Sequence, residues 1–134
     1  MNVQSKVIVI ALDNKFKKME KPLKKVVFKL LDASSLSEKT AVEVYLVGNK
    51  LLKKNVLAFP APKNFPRPDL GGRKFLGEIY LNPVYIKNHG ENFLYLAIHG
   101  FLHLLGYDHK KESDRIKMEK MEQRLLQKLL ISNF

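Results

Sequence analysis

The stretch Asn92-Phe-Leu-Tyr-Leu-Ala-Ile-His99-Gly-Phe-Leu-His103-Leu-Leu-Gly106-Tyr-Asp-His109 decides how the rest of the chain must be arranged. From Asn92 to Leu105, apolar residues stand on nearly every side: Phe93, Leu94, Leu96, Ala97, Ile98, Phe101, Leu102, Leu104 and Leu105. A helix that is apolar all round belongs inside a core, with other elements packed about it. Gly106 ends this helix, because glycine enters the left-handed conformation that turns the chain back.

Working outward, Lys6 to Leu12 is a β-branched run (Val7, Ile8, Val9, Ile10), too short for a helix and suited to a strand buried on both faces. Leu23, Val26, Val27, Leu30 and Leu31 then recur at helical spacing among lysines, and Pro22 fits a first helical position, which predicts a helix over about 22–33. Ala41 to Val47 and Asn55 to Phe59 read as two neighbouring strands, the second stopped by Pro60. Between Phe59 and Lys74, Pro60, Pro62, Pro66, Pro68, Gly71 and Gly72 suit a long surface loop without regular structure, and Phe75 to Leu81 makes a fourth strand. From about Ser113 onward, Met118, Met121, Leu125 and Leu129, joined by Leu126 and Leu130, form the apolar stripe of an amphipathic C-terminal helix.

A length of 134 residues suits one domain, and the 46% hydrophobic content can supply its core. The apolar run at Val7–Leu12 is too short for a signal peptide or a membrane span, so cytoplasm is expected and no membrane partner. With no cysteine, disulfides and thiolate ligands are excluded. Twenty-four Lys and Arg against thirteen Asp and Glu leave a net charge of +11, which attracts a polyanion such as RNA, DNA or an anionic surface.

Three of the four histidines lie within the eleven residues from His99 to His109. Residues i and i+4 share a helix face roughly 6 Å apart, so His99 and His103 can offer two nitrogens to one ion. After the turn at Gly106, His109 can return as a third ligand. Two imidazoles on an oily helix are costly to desolvate one by one, and a shared metal satisfies both. Ligation by nitrogen alone suits one zinc per chain, although imidazole also takes nickel, copper or iron, and three protein ligands leave the fourth position of a catalytic site, whose bound water has a pKa of about 7. The spacing is that of the extended His-Glu-x-x-His protease motif, but Gly100 stands where the glutamate base would be, which disfavours a zinc peptidase.

The string His-Gly-Phe-Leu-His-Leu-Leu-Gly-Tyr-Asp-His from His99 to His109 resembles the signature of the YbeY family of zinc-dependent single-strand-specific endoribonucleases. Asn55-Val-Leu-Ala-Phe-Pro60, Leu76-Gly-Glu-Ile79, and Met118 with Glu122 are similar to the family in the same order, so the likeness covers about residues 40–130. It implies a single YbeY-like metal-dependent RNA hydrolase domain over residues 1–134. The fold implied is α+β (mixed α/β), a four-stranded sheet flanked by helices, with the zinc on a buried helix and the following turn. It also implies hydrolysis of single-stranded RNA in ribosomal RNA maturation and ribosome quality control, at the small ribosomal subunit. Water or a 2′-hydroxyl would attack phosphorus while the metal and a cation stabilise the phosphoryl oxygens.

This sequence departs from the family where phosphate would be recognised. The family's arginine before the Asn-Val-Leu-x-Phe-Pro strand falls, by ungapped count, at Gly48. Lys50, Lys53 and Lys54 are the nearby cations, with Lys54 the candidate phosphate ligand, and Arg67 and Arg73 are candidate substitutes from the loop. Ala58 replaces a serine and Glu78 an aspartate. Asp108 is the candidate acceptor for a ligating histidine's second nitrogen. A competing reading, a ribosome- or RNA-binding protein with a purely structural zinc, follows from the missing arginine.

Overall fold

The computed structural model describes residues 4–36, 38–64 and 66–131, so the ends of the expected 1–134 domain lie outside the described residues. The four expected strands are present as β1 (Lys6–Ala11), β2 (Thr40–Leu46), β3 (Val56–Pro60) and β4 (Lys74–Leu81), in one sheet of order β1-β2-β4-β3. β1 runs parallel to β2 and β2 parallel to β4, while β3 is antiparallel to β4. The helices are α1 (Glu20–Ala33), α2 (Pro83–Asn88), α3 (Phe93–Leu104) and α4 (Glu112–Ile131). The mixed α+β class holds.

Position in the sheet differs from the sequence reading in two places. β1 is an edge strand rather than one buried on both faces: Val7 is buried, but Ile10 stays 40% exposed. The central place goes to β2, where even Glu43 is only 6% exposed. A β-branched run reports preference for extended backbone and says nothing about how many neighbours a strand has. β2 and β3 are not neighbours either, because β4 pairs with both and stands between them.

Proline placement accounts for most of the shifted boundaries. Pro60 closes β3 instead of stopping it, which an edge strand permits because one row of its backbone groups needs no ladder partner. Pro22 is the third residue of α1, still within the first turn where backbone N–H groups lack intrahelical acceptors. A 3-10 segment at Asn14–Met19 leads into α1 and buries Phe16. The proline-rich loop, expected to lack regular structure, contains a 3-10 turn at Pro68–Leu70 that places Leu70 in the core and ends at Gly71 with φ 60°. α2 was not foreseen; Asn82 caps it by accepting from the Tyr85 N–H at 3.0 Å, and Pro83 opens it.

The helices gather on one side of the sheet around α3, whose Ile98 and Phe101 are fully buried. α3 packs against β3, β4 and α4, and α1 packs against β1 and α4. Close approach of α3 to the sheet depends on Gly100: a Cβ there would lie 2.9 Å from Ile79 Cγ2 and 3.1 Å from Val56 Cγ2. Gly77 in β4, at φ 136°, leaves room for both β3 and α3, since a side chain would collide with the Phe59 carbonyl and press on Leu104. On α4, Met118, Leu125 and Leu129 are buried as expected, whereas Leu130 is 66% exposed and does not belong to the stripe.

Candidate metal centre

His99 and His103 stand on successive turns of α3, and between them in the chain Gly100 packs against Ile79 and Val56 of the sheet. The helix then closes as the Gly106 N–H donates to the His103 carbonyl and the Tyr107 N–H to the Leu102 carbonyl, both at 3.1 Å. Gly106 takes φ 99°, and the reversal brings the exposed His109 back beside the helix. One ring nitrogen from each of His99, His103 and His109 then lies within 4.8 Å of the others.

The donor set fits zinc. Nitrogens bound at 2.0–2.1 Å to one tetrahedral ion stand about 3.3 Å apart, and the His99 and His103 Nε2 atoms are 3.1 Å apart. Burial first, and then the neighbouring His99 and His109, hold the His103 pKa below the ordinary imidazole value. That keeps it in the neutral form that ligates metal.

Behind His99 stands a carboxylate that sequence reasoning assigned no role. Glu122 of α4 is 2% exposed, and its Oε2 accepts from His99 Nδ1 at 2.6 Å. Its Oε1 accepts from the Tyr95 hydroxyl, also at 2.6 Å. Burial, and after it this bond, push the Tyr95 pKa up to about 12. The available signal was a glutamate on the stripe Met118, Glu122, Leu125, Leu129, where a carboxylate has no reason to sit without a partner.

Other candidates lie elsewhere. Asp108 accepts from the Lys110 N–H at 3.3 Å and lines a surface pocket with Asp114 and Lys117, so the acceptor for His99 is Glu122 and not Asp108. Arg67 is engaged on the far side of the sheet, donating to Glu43 Oε2 at 2.7 Å and Asp69 Oδ2 at 2.8 Å. Arg73 donates to the Gln4 carbonyl at 2.6 Å and the Leu70 carbonyl at 3.0 Å. Neither arginine of the loop is thus free to replace the absent one. Lys50, Lys53 and Lys54 are exposed on the connection between β2 and β3. Ala58 is half-buried opposite Ile79, while Glu78 belongs to the other face and accepts from the Tyr80 hydroxyl at 3.3 Å. The fourth histidine, His89, caps α2 and stacks on Tyr85.

Residues 8–130 match the family described as Endoribonuclease YbeY. The chain belongs to the endoribonuclease YbeY family. An endoribonuclease YbeY from Chelativorans sp. (strain BNC1) is 38% identical over 87 residues, which are 59% of this chain and 52% of that protein. One from Francisella tularensis subsp. novicida (strain U112) is 34% identical over 93 residues, 63% of this chain and 57% of that protein. A third, from Bartonella bacilliformis, is 36% identical over 91 residues, 63% of this chain and 58% of that protein. The chain therefore spans little more than half the length of these YbeY relatives.

Proposed function

We propose that this chain is a zinc-dependent endoribonuclease that cleaves single-stranded RNA, acting in the cytoplasm on ribosomal RNA at the small ribosomal subunit during its maturation and quality control. The observation that carries this reading is the convergence of His99 and His103 on α3 with His109 from the turn after Gly106, their donor nitrogens within 4.8 Å of one another. Membership of a family described as endoribonucleases and a net charge of +11 support it. Among the described residues, no helix is long and apolar enough to cross a membrane.

One zinc per chain, held by the three histidines, would supply Lewis acidity toward a phosphoryl oxygen and lower the pKa of a water. The chain's own contribution is to keep His103 neutral and to leave no protein base on α3, since Gly100 has no side chain and no room for one. Asp108 is the nearest acid in sequence to a ligand, and Lys54 remains the candidate for a phosphate charge. As a point charge, Lys54 would bind phosphate without the planar fork of arginine.

A second reading, an RNA-binding protein whose zinc is structural, is favoured by the engagement of Arg67 with Glu43 and of Arg73 with backbone carbonyls. The peptidase reading has no such support. The experiment is to incubate zinc-loaded protein with a single-stranded oligoribonucleotide and with the same RNA as a duplex, alongside His103→Ala. Cleavage of the single strand alone, abolished in the variant, is expected. Tight RNA binding without cleavage would select the structural-zinc reading.

A further inference from the structure

Glu122 is a buried carboxylate that takes, among the described residues, one short bond on each oxygen, both from α3: the Tyr95 hydroxyl on Oε1 and His99 Nδ1 on Oε2, each at 2.6 Å. Tyr95 and His99 are four residues apart and share a face of α3, so one carboxylate from α4 spans two consecutive helical turns. From this geometry we infer that Glu122 and Tyr95 are positioning residues for the metal. Glu122 holds His99 as the tautomer with hydrogen on Nδ1 and a lone pair on Nε2, and Tyr95 fixes the carboxylate that does so.

The inference rests on the metal reading above and deepens it. An imidazole ring turns readily about its second side-chain torsion, so helical spacing alone does not decide which nitrogen of His99 faces His103. An ionised acceptor on Nδ1 decides it, and also raises the basicity of the opposite nitrogen. A carboxylate as buried as Glu122 needs a donor on each of its oxygens. Among the described residues, the Tyr95 hydroxyl is the donor to Oε1. Remove it and the carboxylate can rotate away from His99, because no other described residue donates to that oxygen.

A bond that merely docks α4 onto α3 would affect the stability of the metal-free protein and leave metal affinity alone. Positioning predicts the reverse emphasis. The test measures the zinc dissociation constant by competition with a chromophoric chelator, and the visible spectrum of the cobalt-substituted protein, for wild type, Glu122→Gln, Tyr95→Phe and the His99→Ala, His103→Ala double variant. Glu122→Gln keeps the shape and should weaken zinc binding about 10- to 100-fold. Tyr95→Phe should weaken it measurably, by up to about tenfold, with a shifted cobalt spectrum, as expected when only the outer support is lost. Circular dichroism of the metal-free variants checks folding, and if Glu122→Gln does not fold, Tyr95→Phe decides alone. Unchanged or tighter zinc binding in folded Tyr95→Phe would overturn the inference, since tyrosine would then only dock the helix or withdraw charge. Wild type that binds no zinc, or a double variant that binds it equally well, would overturn the metal reading itself and this inference with it.

Discussion

Gly100 occupies the position of the glutamate in a His-Glu-x-x-His protease motif, and its role here is steric: an added Cβ would press on Ile79 and Val56. Gly100→Ala should therefore cost about 1 to 3 kcal/mol, read as a lower urea midpoint with unchanged slope, because small-to-large changes in a packed interior force displacement. Position 100 faces the sheet, so a glutamate there would not become a base, and no peptidase activity should follow. Tyr95 gives a second prediction, with its sign set by the direction of the shift. Folding raises its pKa from 10.0 to about 12, so the fold favours the neutral hydroxyl. That contribution is complete below about pH 10 and is lost as pH climbs toward 12. In metal-free protein, Tyr95→Phe should therefore show a flatter alkaline decline in stability than wild type, measured by urea unfolding across that range. The histidines were legible in the sequence because they are local, two on one helix face and one past a glycine. Glu122 was not given its role because it lies 23 residues from His99, and only the packing of α4 on α3 brings them together.

At the level of elements, strand and helix identity was legible, and strand order was not. Periodicity reports which face of an element is apolar, and the β-branched runs of β1 and β2 satisfy that equally well. What separates them is pairing: β2 has β1 on one side and β4 on the other, whereas β1 has a single partner. The inner place of β2 also buries an acidic residue, Glu43, whose side-chain partners make that burial tolerable. Glu43 is held by the Tyr45 hydroxyl at 2.8 Å and by Arg67 at 2.7 Å, and the Arg67 guanidinium also lies 4.6 Å from the centre of the Phe75 ring. Arg67→Ala should lower the melting temperature by leaving the buried Glu43 carboxylate without its cation, and the added change Glu43→Gln should recover part of the loss. Zinc content should be unaffected in both, since this cluster lies on the face of the sheet away from α3. A large loss of zinc in Arg67→Ala would show that the loop arginine does serve the histidine site. α2 escaped notice because its six residues carry too short an apolar pattern, although Asn82 and Pro83 are a recognisable start signal.

For the whole molecule, an excess of eleven positive charges would make the proposed RNA association a counterion-release process, so affinity should fall steeply with salt. The slope for a single strand is about 0.7 per phosphate neutralised, and a lysine that contacts phosphate should reduce it by that amount when replaced. Lys50→Ala, Lys53→Ala and Lys54→Ala test this one at a time, and an unchanged slope in all three would place the RNA path elsewhere. On the proposed reading, zinc held by His99, His103 and His109 makes this chain a ribonuclease. Its most direct test is a titration of metal-free protein with zinc while cleavage of a single-stranded oligoribonucleotide is followed. Cleavage should rise in proportion to added zinc, reach its plateau at one equivalent per chain, and stay at background throughout the same titration of His103→Ala. Full cleavage by the metal-free protein, or saturation with one zinc and no cleavage, would contradict it.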